Sequence, residues 1–401
     1  MLKKRFKTWL RLALKKPSQI LWPIALWTLP LSIFTTVWQN TYFLQGSYNP
    51  YLNFSVYLSE ILIIATFVAW IGEQLLQSKK IKLHSQSWIL AGIILSLSLI
   101  SVLFSADKTA SLLGQIHILC GLLVMILITH EVTSLQKTKQ IFISALIFQS
   151  IVGILQVVFQ KSIGLSFLGE SFIGTDVTGV AKLNIAGKTF LRAYGTLPHA
   201  NILGGLLGIG ILAAHDLPKH KLWQIGKILL WIGFFLTFSK GAIIGLFAAL
   251  AITKKIPLKF SLSILGVGII GFILKWDYFI LSESFIERLQ YIKISLGMLA
   301  NEPVGVGLTQ FTARLAEFTD FKLQPWQYQP VHNIYLLVTN ELGIWSGLTL
   351  VGGFGYALFR QKRLISILIF LIIIGLFDHY LISLPQGLLI GGVALGLQNN
   401  S

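Results

Sequence analysis

The sequence predicts an all-α polytopic integral membrane protein, a single transmembrane domain over residues 1–401, with about 12 transmembrane helices and two longer extracytoplasmic loops. Hydrophobic residues make up 54% of the chain and charged residues only 12%, and the mean hydropathy is +0.74. Apolar runs near the length needed to cross a bilayer follow one another with short polar joints between them. Little chain is left for a soluble domain. The formal charge of +17 could point to nucleic acid, but its distribution favours a membrane. Lys and Arg gather in every second joint, as they do on the cytoplasmic side.

The expected spans lie near 20–38, 56–76, 88–104, 113–130, 141–159, 202–214, 222–238, 241–252, 260–274, 333–358, 364–377 and 386–398. With the N-terminus inside, 21 of the 32 Lys and Arg fall in the short cytoplasmic segments, which places both termini in the cytoplasm. Residues 1–17 alternate apolar and basic side chains at helical spacing before Pro17. This pattern reads as a cytoplasmic amphipathic segment lying on anionic lipid. A small-residue cleavage site is missing after the first apolar run, so a cleaved signal peptide is not expected. The lone Cys120 offers neither a disulfide nor a thiolate cluster.

Two joints are longer than a turn requires, a first extracytoplasmic loop at 160–201 and a large one at 275–332. In the first, alternating stretches around Ala186-Gly187 predict a hairpin that delivers Arg192 ahead of a Gly-Thr turn. In the second, Phe285, Leu289, Ile292, Leu296 and Leu299 recur at 4-3-4-3 spacing. They predict an amphipathic helix, opened by Ser284 and Glu287 at capping-box spacing and ended near Asn301 by Pro303 and Gly305-Val306-Gly307. Arg288 sits beside its apolar stripe. Between the loops, Ser239-Lys240-Gly241 marks a tight reversal at the outer ends of two spans. Each of these cations also has a plain reading as an interfacial anchor or a snorkelling side chain.

The segment "PVHNIYLLVTNELG" from Pro330 puts a His-Asn pair at the mouth of a span. His332, Leu336, Thr339, Gly343 and Ser346 share one helical face, which is expected to look into the bundle. Glu341 is out of phase with His332 and is expected to bond another helix. Asp378 and His379 form an outer turn, where they either orient a substrate or close a helix-end hydrogen-bond cluster. Arg192, Lys240, Arg288 and His332 thus all fall at the expected outer face. Cations of this kind suit a lipid-linked phosphate, and an imidazole can take a proton from a hydroxyl.

"RAYGTLPHANILGG" from Arg192, "LTFSKGA" from Leu236, "RLQYIKISLGMLANEPVGVGLTQF" from Arg288 and "VHNIYLLVTNELGIWSGL" from Val331, in that order, resemble the O-antigen ligase and Wzy polymerase family of membrane glycosyltransferases. The resemblance runs over about residues 50–395. It implies a GT-C-like architecture in the cytoplasmic membrane, acting on its outer face. The implied donor is a glycan on undecaprenyl diphosphate, and the acceptor is a hydroxyl on lipid, glycan or protein. Carried over, His332 is the catalytic base, while Arg192 and Arg288 hold the diphosphate with help from Lys240. Asn333, Asn201, Asp378 and His379 are supporting candidates.

Lys240 stands where the family has Arg, which keeps the charge and loses the planar fork. Ala200 stands in a proline position, which leaves Asn201 as the expected helix cap and His199 without an expected role. No cofactor or metal is expected, and the chain lacks an Asp-x-Asp sequence. Nucleic acid is not an expected partner. A secondary transporter or lipid-linked glycan flippase is the alternative reading, and an envelope scaffold a third; inward-facing polar groups suit the first of these, but no internal repeat is evident.

Overall fold

The computed structural model describes residues 16–39, 49, 51–78, 86–185, 187–253, 257, 263, 266, 283–320, 322–360 and 365–399. Most of residues 1–17, the expected span at 260–274 and the basic joint at 361–363 lie outside the described residues. The rest is mostly helical. In chain order come α1 (Ser18–Thr28), β1 (Phe34–Gln39), β2 (Asn53–Tyr57), α2 (Leu58–Leu76), α3 (Gln86–Val102), α4 (Lys108–Thr129) and α5 (Leu135–Phe159). Then follow β3 (Lys182–Ile185), β4 (Lys188–Leu191), α6 (Ala200–Ala213), α7 (Lys221–Leu236) and α8 (Lys240–Ile252). The remainder is α9 (Glu283–Asn301), α10 (Phe311–Arg314), α11 (Ile334–Leu342), α12 (Ile344–Arg360), α13 (Ile365–Gly375), α14 (Tyr380–Ser383) and α15 (Pro385–Asn399).

Among the described residues, α2, α4 and α5 are long and apolar enough to cross a membrane. Residues 87–102, 200–213, 240–252, 344–359, 365–375 and 385–397 form shorter apolar helices. At 1.5 Å per residue, the 13 residues of α8 span about 20 Å, short of a hydrocarbon core of about 30 Å. Twelve full-length spans are therefore not what the described residues contain.

Two expected spans are corrected outright. Residues 20–38 are not one helix, because α1 carries Pro23 within it and meets Pro30, which has no N–H to continue the ladder. The chain leaves as β1, whose Phe34, Thr35, Thr36, Val37 and Trp38 suit a pleated strand, and pairs antiparallel with β2. Residues 333–358 are divided at Gly343, whose φ of +87° lies in the left-handed region where side chains are strained. Pro303 to Gly307 dock at this break. Val306 N–H donates to the Asn340 carbonyl (2.8 Å), Gly307 N–H to the Glu341 carbonyl (3.0 Å) and Ile344 N–H to the Pro303 carbonyl (3.0 Å).

The all-α expectation is corrected as well, since two two-stranded hairpins are present. The hairpin expected around Ala186-Gly187 is β3–β4, with Lys182 opposite Leu191 and Ile185 opposite Lys188. The expected surface helix is α9, over Glu283–Asn301; the Ser284 side chain at its start is outside the described residues.

The core forms where small residues let backbones close on one another. A Cβ on Gly392 would lie 2.1 Å from the Gly121 carbonyl oxygen, so α15 runs directly against α4, and one on Gly205 would collide with the Tyr380 hydroxyl. Around these contacts Trp22, Phe142, Phe234 and Phe370 are wholly buried.

Candidate functional site

The site begins with two glutamines on α5. Gln149 and Gln156 are seven positions apart, hence on one helical face, and both are fully buried. Gln156 Oε1 accepts from Tyr194 N–H (3.1 Å) and Gly195 N–H (2.9 Å), and its Nε2 donates to the Gly195 carbonyl (2.7 Å). Gln149 Oε1 accepts from Thr196 N–H (2.8 Å) and its Nε2 donates to Thr196 Oγ1 (2.8 Å). Buried amides satisfied in this way rigidify what they hold. They fix the Tyr194–Thr196 turn, with Gly195 at φ +63°, and so the approach of Arg192 and the start of α6.

Arg192 is the first bracket. Its Nε donates to the Thr237 carbonyl (2.6 Å) and its Nη2 to Asn201 Oδ1 (2.6 Å), which leaves the Nη1 end of the fork. Asn201 then passes the contact on, donating through Nδ2 to Asp378 Oδ2 (2.9 Å). The expected cap role of Asn201 is corrected by this geometry. His199 is the N-cap of α6, its Nδ1 accepting from Asn201 N–H (3.1 Å), so the Asn201 side chain is released to bridge arginine and aspartate.

The segment Leu376 to His379 is the hub. Arg288 on α9 donates through Nη1 to the Phe377 carbonyl (3.1 Å), and Asn333 through Nδ2 to the Leu376 carbonyl (3.4 Å). Asp378 Oδ1 accepts from His379 N–H (2.9 Å), and His379 Nδ1 lies 2.7 Å from Ser383 Oγ. Phe377 packs on Gly241, beside Lys240, whose ammonium is disfavoured by burial and then by the Arg288 and Arg192 cations.

His332 is placed differently from expectation. It precedes α11, whose N-cap is Asn333, accepting from Leu336 N–H at 3.0 Å. The polar face extrapolated through Thr339 and Ser346 is occupied with itself: Thr339 donates to the Tyr335 carbonyl (2.6 Å) and Ser346 to the Leu342 carbonyl (2.8 Å). Loop packing, not helical phase, aims the imidazole. Its ring lies 5.0 Å from that of His379 and 6.1 Å from that of Tyr291. His332 Nδ1 is closed to solvent and has no hydrogen-bond partner among the described residues. Glu341 bonds away from His332 and to another helix, as expected, accepting from the N–H of Phe311 at the start of α10 (3.3 Å).

These groups border a cavity of about 400 Å³, lined by His332, His199, Asn201, Asp378 and His379 among others. Burial pushes the His332 imidazole below its ordinary range, with Asp378 pulling it up and Arg288 pressing it further down. Burial and then the Arg192 cation push His199 down to about 4. Burial and the neighbouring His332 push His379 down to about 3. Burial would raise the Asp378 carboxyl, yet the imidazoles of His379, His332 and His199 and the Asn201 amide more than offset it and hold it below the usual carboxylate range. At neutral pH this part of the wall therefore carries the Asp378 carboxylate and the neutral imidazoles of His332, His199 and His379, with Arg192 and Arg288 within electrostatic reach of it.

All eight residues singled out in the sequence fall within this assembly, and the hub at Asp378 ties most of them together. Sequence reasoning missed Tyr51, whose ring lies 5.4 Å from that of His379, and it missed His199. Histidine is not among the residues that ordinarily mark a helix N-cap, so no local signal pointed to the second. Comparison with models of known protein families and with curated proteins finds no match to this chain.

Proposed function

We propose that this protein transfers a glycan from an undecaprenyl diphosphate carrier to an acceptor hydroxyl on the outer face of the cytoplasmic membrane, as an O-antigen ligase or surface-polysaccharide polymerase. The observation that carries the reading is a buried His332, whose Nδ1 lacks a partner among the described residues, within electrostatic reach of Arg288, with Arg192 acting on the neighbouring His199 and both arginines acting on Lys240. A buried imidazole nitrogen without a donor calls for explanation. An incoming hydroxyl supplies one.

In this reading His332 takes the proton of the acceptor hydroxyl as its oxygen forms a bond to the anomeric carbon from the face opposite the carrier. The bond from that carbon to the phosphate oxygen breaks, and the diphosphate departs with both electrons, so configuration inverts. The cations stabilise that departing charge, which is where preorganised charge accelerates most. General base catalysis contributes about 10²- to 10⁴-fold. Arg288, with one Nη hydrogen on Phe377 and the rest of its fork available, is the direct diphosphate ligand. Arg192 acts from behind, holding Asn201 and through it Asp378. Asp378 in turn steadies the imidazoles. About twelve membrane passages, several of them short and those at 20–38 and 333–358 broken, a GT-C-like arrangement and cytoplasmic termini belong to the same proposal.

The glycan profile of a deletion strain tests it and divides its two forms. Long polymer left on its carrier marks a ligase, and single repeat units on the acceptor mark a polymerase. An unchanged profile, or purified protein that moves labelled lipid-linked glycan across vesicles without transferring it, would reject the transferase.

A further inference from the structure

The cavity has a second end, walled by the β1–β2 hairpin, that none of the chemistry above uses. We infer that this end is a sugar-binding subsite in which Phe34, Trp38 and Tyr57 contact the ring of a pyranose, and His117, held by Glu60, and Thr309 hydrogen-bond its hydroxyls. In the transferase reading, on which this rests, it receives the acceptor sugar.

Four observations meet here. First, Phe34, Trp38, Phe54 and Tyr57 all line the cavity. Strand alternation alone would not put them there together; the irregularity in β1 between Thr36 and Trp38 shifts the pairing so that Trp38 stands opposite Phe54. Such a bulge re-aims side chains. Phe34 and Tyr57 lie 5.1 Å apart at 35°, forming a broad apolar surface of the kind that packs against the C–H face of a sugar ring.

Second, His117 Nδ1 is 2.6 Å from Glu60 Oε1, with side-chain exposures of 14% and 2%. The imidazole also stacks on Phe54, rings 4.7 Å apart at 27°. Glu60 accepts the hydrogen bond from Nδ1–H, which fixes the tautomer and leaves Nε2 as an acceptor on a residue that lines the cavity. This is an oriented polar group in an aromatic wall, the usual composition of a small-molecule site.

Third, Thr309 lines the same cavity, and its Oγ1 is sealed from solvent with no partner among the described residues. Its φ is +64°, a left-handed conformation that a β-branched residue adopts only under constraint. Its methyl packs where a Cβ on Gly114 would be, at 2.7 Å, one turn of α4 from His117.

Fourth, the hairpin is tied to the catalytic end. Asn49 donates through Nδ2 to the Tyr328 carbonyl (2.7 Å) and Asn53 donates to the Asn49 carbonyl (2.8 Å), while Tyr51 sits edge-on to His379. A molecule seated on the hairpin therefore extends toward His332.

Saturation-transfer NMR tests the subsite on the purified full-length protein in detergent, with the methyl glycosides of glucose, galactose, mannose and N-acetylglucosamine as probes. At least one is expected to receive saturation at its ring C–H protons. Trp38→Ala is expected to weaken that binding about tenfold, and His117→Gln and Thr309→Val about fivefold each. Gln keeps a partner for Glu60 and Val keeps the shape of Thr309, so these two variants guard against simple misfolding.

Farnesyl diphosphate binding, measured on the same samples, is expected to be unchanged in all three. If farnesyl diphosphate binds and no glycoside does, the subsite is overturned and the diphosphate reading stands. If a glycoside binds and farnesyl diphosphate does not, the diphosphate reading fails and the sugar site remains. Glycoside binding unaffected by all three substitutions would place the sugar elsewhere and overturn the subsite; that outcome leaves the hairpin aromatics as ordinary interfacial side chains.

Discussion

Arg192 and Arg288 look alike in the sequence and differ in the structure. Arg192 spends Nε and Nη2 on Thr237 and Asn201, whereas Arg288 gives one bond to Phe377 and keeps more of its fork for a ligand. Replacing Arg288 by Lys removes bidentate geometry and keeps the charge. Arg288→Lys is therefore expected to cut kcat/KM for the lipid-linked donor by about tenfold or more, and Lys240→Arg to leave it nearly unchanged. Equal tolerance of both would show that no fork is used.

For His332, burial and Arg288 favour the neutral form, which is the form the proposed transfer uses as base. Activity should consequently persist as pH falls through the ordinary histidine range near 6.5, and be lost only below it. A kcat/KM profile in the free enzyme reads this directly; an acid limb above pH 7 would contradict it.

At the scale of elements, the spans over 56–76, 113–130 and 141–159 were legible because long apolar runs with few breakers leave a helix little alternative. The 20–38 run was misread because its hydropathy is that of a span while Pro30 and the following β-branched and aromatic residues favour a strand. Average hydropathy is blind to that order. The 333–358 run failed for a different reason: its division at Gly343 is set by Pro303 to Gly307, some forty residues earlier, a partner that no local pattern contains.

Individual site residues were legible as charged or titratable groups near span ends. Their wiring was not, since Asn201 reaches Asp378 across 177 positions. Gln149 and Gln156 were overlooked because an isolated Gln in an apolar helix looks like an exception and not a strut. Gln156→Leu should destabilise the protein by about 3 kcal/mol, because it strands the Tyr194 and Gly195 N–H groups and the Gly195 carbonyl. A lower unfolding midpoint in detergent is the expected result, and an unchanged midpoint would mean the turn holds itself.

At the scale of the whole molecule, the proposed function requires one topology: the β3–β4 hairpin and α9 on the side of the membrane where the proposed lipid-linked donor is used. Cys120 is the only cysteine and is buried, so new cysteines report without interference. A cysteine at Lys188, an exposed hairpin position, or at Lys293, exposed on α9, is expected to react with an impermeant maleimide in spheroplasts. One at Lys137, at the start of α5, is expected to react only after lysis. Reaction at all three positions alike in intact spheroplasts would reject the proposed orientation.

The proposed transfer depends above all on His332 acting as its base. Time-resolved transfer of a radiolabelled undecaprenyl-diphosphate glycan by purified protein, wild type against His332→Gln, measures that claim in the absence of any membrane gradient. Transfer by the wild type is expected, together with a folded His332→Gln protein that still binds farnesyl diphosphate but turns over at least about 10²-fold more slowly. Transfer by His332→Gln at the wild-type rate would contradict it.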